Sequence, residues 1–135
     1  MNIEIRFYED SDYEQVNHLL EDTFHYQKSK ISDPNVYEFV AVFEDKIVGY
    51  FNLGRMLDVI RNIVIFHVDY VCVSEELRGK KIGRKMMEYA IDFAKEKGAT
   101  RMELTSGNQR IAAHKLYEGL GFVKRDSSIF RKELL

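Results

Sequence analysis

A basic, glycine-containing segment between residues 78 and 85 is the part of the chain best suited to bind an anion. It contains five basic residues and no acid. Helix starts expose unpaired backbone N–H groups and a partial positive charge, so a helix beginning here would stabilise an anion. Bases in a first helical turn oppose the helix dipole, a conflict that a bound anion relieves. The basic residues are Arg78, Lys80, Lys81, Arg84 and Lys85.

Two glycines of this segment, Gly79 and Gly83, would let a ligand approach the backbone closely, because no Cβ stands in the way. The segment lacks the G-x-x-x-x-G-K-[ST] pattern of a P-loop and the G-x-G-x-x-G pattern of dinucleotide-binding folds. A solvated helix start without a ligand is one interpretation. The other, which we favour, is a site for an anion with several phosphates.

The charges are unevenly spread over a chain whose net charge is -2. Residues 1–22 contain seven acids and a single base, Arg6, in contrast to the basic segment. Two poles of opposite charge indicate two different partners. An isoelectric point near 6.1 and the lack of a long basic stripe argue against a nucleic-acid-binding protein.

Strand and helix patterns alternate along the chain and must position the basic segment. Residues 3–7 alternate between apolar and polar and predict a first strand. Ser11 and Glu14 have the spacing of a capping box and predict a helix that ends near His25. The further predicted elements are a loop or a short irregular helix over 27–35, strands over 37–43, 47–53 and 58–73, a helix from 82 to Gly98, a strand over 101–105, a helix over 111–120 and one or two strands in 122–135.

The order of these elements predicts an α/β domain. The strand, helix and strand between residues 58 and 105 form a crossover unit, whose two strands should be parallel. Hairpin-like runs before this unit predict antiparallel neighbours, so the sheet should be mixed and covered by helices. A chain of 135 residues with 45% hydrophobic and 31% charged residues predicts one domain, residues 1–135.

The composition predicts a cytoplasmic protein. Cys72 is the only cysteine, so no internal disulfide can form, and no His or Cys cluster has the spacing of a metal site. No apolar run approaches the length of a membrane span, and the first residues do not resemble a signal peptide. We therefore expect neither a metal nor a membrane as partner.

Two motifs resemble those of the GNAT superfamily of N-acetyltransferases. Residues 78–83 match its phosphate-binding signature R/Q-x-x-G-x-G/A, except that Lys81 stands where the first signature glycine usually lies. Residues 108–122 match its C-terminal motif A-x-x-x-Y-E-x-x-G-F, and Arg110 stands where the family often has Asn. The resemblance implies a GNAT-like fold, with a sheet of about six to seven strands and a splayed central parallel pair.

The resemblance also implies acetyl-CoA as the co-substrate, without a metal. The pantetheine arm would lie between the splayed strands and hydrogen-bond like an extra strand, and the N–H near Val71 would polarise the thioester carbonyl. The side chain of Cys72 should point away from Val71 and be a small buried hydrophobe. The implied coenzyme-binding residues are Val71, Cys72, Val73, Arg78, Gly79, Lys80, Lys81, Ile82, Gly83, Arg84, Arg110, Ala113 and Tyr117.

Tyr117 lies where the family carries the tyrosine that protonates the departing thiolate. A phenol of pKa about 10 and a thiol of about 8.5 permit this transfer at a cost of about 2 kcal/mol. Helical periodicity alone would make Tyr117 a core residue. For the general base we expect Asp69, on the same strand face as Val71 if alternation holds, or Glu103 on the neighbouring strand; both could also be ordinary strand residues. The histidines His25, His67 and His114 are further candidates.

The resemblance implies that the first helix and the loop after it form the wall of the acceptor site. Acids beside aromatic residues would suit a cationic amine, although a solvated acidic helix face would have the same composition. The predicted acceptor-binding residues are Glu21, Phe24, His25 and Tyr26. The implied partner is a small-molecule or peptide amine, and a homodimer stays open.

The sequence thus predicts an N-acetyltransferase that transfers an acetyl group from acetyl-CoA to a primary amine by direct attack in a ternary complex. The alternative is a non-catalytic module that binds acyl-CoA for regulation. A third hypothesis is a generic nucleotide-binding domain, which would bind ATP in preference to CoA.

Overall fold

The computed structural model describes all 135 residues and contains one five-stranded sheet. Two compact units make up the chain, Met1–Thr105 with the whole sheet and Ser106–Leu135. None of the helices combines the length and the apolar character that crossing a membrane requires. The elements are β1 (Glu4–Phe7), α1 (Tyr13–Phe24), β2 (Val36–Phe43), β3 (Lys46–Asp58), β4 (Ile63–Val73), α2 (Ile82–Glu96), β5 (Ala99–Leu104) and α3 (Ile111–Gly119).

The sheet is mixed, and its strands follow one another in the order β1-β2-β3-β4-β5. The pairs β1–β2, β2–β3 and β3–β4 are antiparallel, and β4–β5 is parallel, which confirms the predicted α/β class and crossover. The expected six to seven strands are five, because residues 122–135 form no strand. Lys124, Arg125 and Asp126 follow one another in this tail, so it offers no alternating apolar face that a sheet could bury.

The two faces of the sheet are covered by different helices. On the α1 face, Leu19 and Leu20 belong to a buried cluster with Val40, Tyr50 and Cys72. The opposite face, the α2 face, is covered by aromatic rings. Its rings come from four strands and α2, and they include Phe7, Phe39, Phe51, Phe66 and Phe93. This separation gives each strand residue a definite side of the sheet, and the side decides which helix the residue can contact.

The start of α1 differs from the predicted capping box at Ser11 and Glu14. A short 3-10 turn over Asp10–Asp12 precedes the helix, and the buried Asp12 carboxylate accepts two hydrogen bonds from Arg6, at 2.8 and 2.9 Å. The same carboxylate accepts the Glu9 N–H at 2.9 Å. These bonds hold the pKa of Asp12 below its usual range. A buried ion pair with β1 therefore fixes the helix start.

The predicted strand over 58–73 is wrong at its beginning, because a turn over residues 59–62 divides that segment. β3 continues to Asp58, whose carboxylate accepts the backbone N–H groups of Ile60 and Arg61, both at 3.1 Å. Asn62 has a left-handed backbone, with φ of 55°. The apolar Val59 and Ile60 hid this turn in the sequence, since they resemble strand residues.

Candidate active site

A β-bulge interrupts β4 at Tyr70. Asn52 on β3 pairs with Asp69 and Tyr50 pairs with Cys72, so Tyr70 and Val71 together oppose a single residue. Tyr70 has a φ of 55°. An inserted residue reverses the alternation of the strand. Asp69 therefore lies on the α1 face and Val71 on the α2 face, which corrects the expectation that they share one.

β4 and β5 part just before the bulge. Their last paired residues are Val68 and Leu104, where β5 ends, while β4 continues to Val73. The edge of β4 after Val68 thus has no partner strand on its β5 side. Backbone N–H and C=O groups on an unpaired edge can bind an extended ligand as a further strand would. Val71, Cys72 and Val73 lie on this edge, and the Cys72 side chain is buried on the α1 face, as predicted.

The turn between β4 and α2 contains two residues in the left-handed region, Gly79 with φ of 79° and Lys81 with φ of 67°. Lys81 immediately precedes α2, and no side chain caps the helix start. Because only glycine adopts this conformation freely, the backbone explains why a glycine is usual at the Lys81 position. Lys80, Lys81 and Arg84 are exposed around the open N–H groups of the helix, an arrangement that suits an anion.

Two of the five bases are held by carbonyl oxygens. Arg78 donates to the Val73 carbonyl at 3.2 Å and to the Thr23 hydroxyl at 3.4 Å. Lys85 donates to the Ile3 carbonyl at 2.7 Å. Arg78 therefore ties the turn to β4 and to the last turn of α1, in addition to any contact with a ligand.

An aromatic wall, defined here as Phe24, Tyr26 and Tyr70, lies on the α1 face beside the bulge. The Tyr70 ring meets Phe24 edge-on at 5.3 Å and Tyr26 at 6.2 Å between centroids. Two predicted acceptor residues, Phe24 and Tyr26, are thus brought together. The structure shows no such contact for the other two: Glu21 and His25 are exposed, and the Glu21 carbonyl accepts the His25 N–H at 3.1 Å.

A polar row, defined as Glu38, Asn52 and Asp69, crosses three strands on the same face. Glu38 is paired with Asn52, and Asn52 with Asp69, in the registers of β2–β3 and β3–β4. Glu38 accepts a hydrogen bond from the Tyr50 hydroxyl at 2.7 Å and pairs with Lys28 at 2.8 Å. A cleft of about 640 Å³ opens beside Lys28 and Glu38.

His67 and Glu103 extend this polar face towards β5. The His67 Nδ1 lies 3.1 Å from an Asp69 carboxylate oxygen, and His67 is paired with Glu103 in the β4–β5 register. The hydrogen bond to Asp69 raises the pKa of His67, and the charge of Glu103 adds to this, against the opposing effect of burial. Both predicted general-base candidates thus lie beside one histidine. No set of three or more His, Cys, Asp or Glu side chains is arranged to hold a metal ion.

The second unit contains the remaining predicted residues. Tyr117 on α3 is buried, and its ring contacts Phe122 at 6.1 Å between centroids. Burial raises the pKa of the Tyr117 hydroxyl, and the charge of Arg110 partly opposes this. Arg110 precedes the first residue of α3, and Ala113 is partly buried on the helix. The Tyr117 hydroxyl therefore keeps its proton at neutral pH.

The comparisons with known proteins agree with this geometry. Residues 2–122 match the model of the Acetyltransferase (GNAT) family. The chain is 28% identical over 131 residues to aminoalkylphosphonate N-acetyltransferase of Salmonella typhimurium, covering 93% of this chain and 84% of that protein. It is 30% identical over 104 residues to the probable N-acetyltransferase camello of Xenopus laevis, covering 77% of this chain and 46% of that protein.

A putative acetyltransferase from Agrobacterium tumefaciens has the same fold, with a TM-score of 0.85, 20% identity and coverage of 96% of this chain and 99% of that chain. The chain belongs to the GNAT family of acetyltransferases, whose members use acetyl-CoA as co-substrate. The chain spans less than half of the length of camello.

Sequence reasoning assigned no role to several residues that the structure brings to the site. Tyr70 gave no signal, because a bulge cannot be recognised from alternation alone. Glu38 and Asn52 gave a weak signal, since each is a polar residue within an apolar strand pattern. Lys28 lies in the segment for which the sequence predicts only a loop or a short irregular helix.

Proposed function

We propose that the chain, as one N-acetyltransferase domain over residues 1–135, transfers an acetyl group from acetyl-CoA to a primary amine in a ternary complex. The observation that carries the proposal is the course of β4. This strand outruns β5, bulges at Tyr70 and leads directly into a glycine-containing basic turn at an uncapped helix start. One strand thereby offers an unpaired edge and an anion site in succession.

In the proposed complex, the turn binds the pyrophosphate of CoA. Backbone N–H groups at the start of α2 donate to its oxygens, and the exposed bases supply charge that the helix dipole supports. The residues in this role are Arg78, Gly79, Lys80, Lys81, Ile82, Gly83 and Arg84. The resemblance adds Arg110, Ala113 and Tyr117 as further coenzyme-binding residues.

The free edge of β4 receives the pantetheine arm as an additional strand, through the backbone of Val71, Cys72 and Val73. The N–H near Val71 donates to the thioester carbonyl oxygen and stabilises the charge that develops on it. A single donor of this kind contributes about 2–4 kcal/mol in other enzymes.

Asp69 and Tyr117 handle the protons of the proposed transfer. The amine nitrogen attacks the thioester carbonyl carbon, so a C–N bond forms while the C–S bond breaks. Asp69, or Glu103 through water, accepts the proton that the amine loses. Tyr117 donates its proton to the thiolate sulfur and is reprotonated from solvent. The Tyr117 hydroxyl keeps its proton at neutral pH, as a general acid must, although burial raises its pKa and makes it a weaker acid than a free phenol.

The acceptor in this proposal is a small amine that binds on the α1 face. The aromatic wall and the polar row support a cationic, partly apolar ligand. The Salmonella relative is named for aminoalkylphosphonates, which are small amines, and this name supports the same class for our chain. Of the predicted acceptor residues, Phe24 and Tyr26 have structural support, whereas Glu21 and His25 stay predictions. The homodimer and the cytoplasmic location also stay predictions.

The test is an acetyl-transfer assay that follows thiol release from acetyl-CoA with a panel of primary amines, including 2-aminoethylphosphonate and 2-phenylethylamine. Wild type should turn over at least one amine, and Tyr117→Phe should lose at least about 90% of kcat, as expected for a general acid. Tyr89→Phe is the matched control, because Tyr89 packs on Phe39 from α2 and should be dispensable.

Turnover that survives in Tyr117→Phe would contradict the assigned acid. CoA binding without turnover of any amine would instead favour the non-catalytic acyl-CoA module. Better protection against heat by ATP than by CoA would favour the generic nucleotide-binding domain.

A further inference from the structure

The hydrogen bonds of the polar row have only one possible direction. A carboxylate such as Glu38 can only accept, so the Tyr50 hydroxyl must donate its single proton to it, across 2.7 Å. Lys28 donates to the same carboxylate oxygen at 2.8 Å. Burial, followed by Glu38, raises the pKa of Tyr50 far above its ordinary value, so this proton is permanently present. The Tyr50 oxygen is then left to accept.

This direction fixes the amide of Asn52. The amide nitrogen of Asn52 donates to the Tyr50 oxygen at 3.1 Å. The reversed amide would place two acceptors against each other, because Tyr50 has already donated its proton to Glu38. Asn52 therefore presents its Oδ1, an acceptor, on the side away from Tyr50.

Asp69 faces Asn52 from the next strand. The two residues are direct partners in the β3–β4 register, and such partners have Cβ atoms about 5 Å apart on the same face. Asp69 is also an acceptor, with one oxygen at 3.1 Å from His67 Nδ1 and the other remaining. Two acceptors thus lie on neighbouring strands and on the same face of the sheet, on partly buried side chains. A complementary ligand must bring at least two N–H groups.

We infer that Asn52 Oδ1 and Asp69 form a two-acceptor slot that binds two N–H groups of a primary ammonium or amine. The inference rests on the proposed function and names the feature that selects its acceptor class. The aromatic wall stands beside the slot at Tyr70 and suits the cation and any apolar group attached to it. Lys28, Glu38 and Tyr50 are positioning residues, because they act on the ligand only by orienting Asn52.

The slot is tested by binding, which does not require turnover. 2-Phenylethylamine and its N,N,N-trimethyl derivative are titrated into the protein and followed by calorimetry. Both ligands have the same ring and the same charge near neutral pH, but only the primary ammonium has N–H groups. Wild type should prefer the primary ammonium by at least about tenfold, which corresponds to one or more hydrogen bonds.

Three variants separate the slot from packing. Asn52→Leu keeps the volume but loses the acceptor, so the preference should fall to about twofold or less. Asn52→Asp keeps an acceptor and should retain the preference, because the Tyr50 hydroxyl can turn its proton to the new carboxylate while Glu38 keeps Lys28. Tyr50→Phe frees the amide to rotate and should reduce the preference partly, whereas the matched control Tyr37→Phe should leave it unchanged. Tyr37 lies on the other face of the sheet, stacked on Phe66 at 5.8 Å.

Each outcome of the titrations either supports or overturns the two-acceptor slot. A wild type that binds neither ligand, or both equally, overturns the slot, and so does an Asn52→Leu variant that keeps the preference. Loss of the preference in Asn52→Asp overturns it as well, since the position would then contribute packing alone. If the preference behaves as expected but no amine of the panel is acetylated, the slot stands and the proposed function fails.

Discussion

The basic turn and the polar row are built in opposite ways. The turn consists of consecutive residues, 78–81, whose charges and glycine are adjacent in the sequence. The polar row takes one residue from each of three strands, and those residues are separated by 14 and 17 positions. The turn is a local property of the chain, whereas the polar row exists only because the strands align in one register.

The bulge at Tyr70 connects the two regions. It places Asp69 on the α1 face with the polar row and directs Val71 to the other face. In the proposed reaction, a single strand can therefore serve the amine before the bulge and the thioester after it. A strand without a bulge would give both residues the same face. The left-handed backbone of Tyr70 is the local cost of this arrangement.

The largest effect is expected from Gly83→Val, which obstructs the helix start directly after the turn and leaves the polar row intact. Gly83 lies in the first turn of α2, where a valine would block the approach of pyrophosphate to the backbone. Losing two charge-assisted hydrogen bonds costs about 3 kcal/mol, so CoA affinity should fall by about 100-fold. Calorimetric titration of CoA measures this, and urea unfolding should show little loss of stability because valine is tolerated in helices at least as well as glycine.

Gly54→Val is the matched control for this change. An added Cβ at Gly54 meets no atom within 4 Å, and this residue lies on β3, outside the turn. The CoA affinity of Gly54→Val should stay within about twofold of wild type, since the added side chain meets no neighbour and lies away from the turn. Equal losses in both variants, or none in Gly83→Val, would contradict the assignment of the turn.

The sequence was a good guide wherever the information was local. The turn, both long helices and the parallel crossover follow from charge, glycine placement and periodicity in neighbouring residues. The end of α1 near His25 was also predictable, and that residue adopts a left-handed conformation with φ of 61°. Local chemistry of this kind is independent of how strands pair.

The errors concern features that depend on pairing and tertiary contacts. The cap of α1 uses a buried contact of Asp12 with Arg6, so the nearby Ser11 and Glu14 were misleading. The turn after Asp58 is held by hydrogen bonds from backbone N–H groups to the Asp58 carboxylate, and it contains neither glycine nor proline. The face of Asp69 depends on a bulge, and periodicity cannot reveal an inserted residue. The same limits left Asn52 unrecognised.

A smaller effect is expected from Lys81→Gly, which sharpens the role of the turn. Lys81 has φ of 67°, in the left-handed region, which costs an L-residue about 1–2 kcal/mol. Glycine avoids this cost, but its greater freedom in the unfolded chain offsets part of the gain. The variant should be more stable by about 0.5–1 kcal/mol in urea unfolding. Lys81→Ala, which removes the same charge but keeps the Cβ, should show no gain.

The CoA affinities of the two Lys81 variants give the second half of this test. If Lys81 contributes mainly its backbone N–H, both variants should bind CoA within about fivefold of wild type, as expected for one exposed charge. A loss of more than that in both variants would assign the contribution to the ammonium group instead.

The smallest effect is expected from His67→Gln, which perturbs the polar face and leaves the turn intact. Asp69, with help from Glu103, raises the pKa of His67 above its ordinary value of about 6.5. The stability that protonated His67 contributes is therefore complete below about pH 6.5 and is lost as the pH rises through the folded-state pKa. Because His67 is 37% exposed, solvent screening limits this contribution to about 0.5 kcal/mol or less. Urea unfolding between pH 5.5 and 8.5 should show wild type losing stability relative to His67→Gln as the pH rises. In an Asp69→Asn background, which removes the partner of His67, this pH-dependent difference should disappear. A constant offset between wild type and His67→Gln at every pH would show that His67 contributes by packing alone.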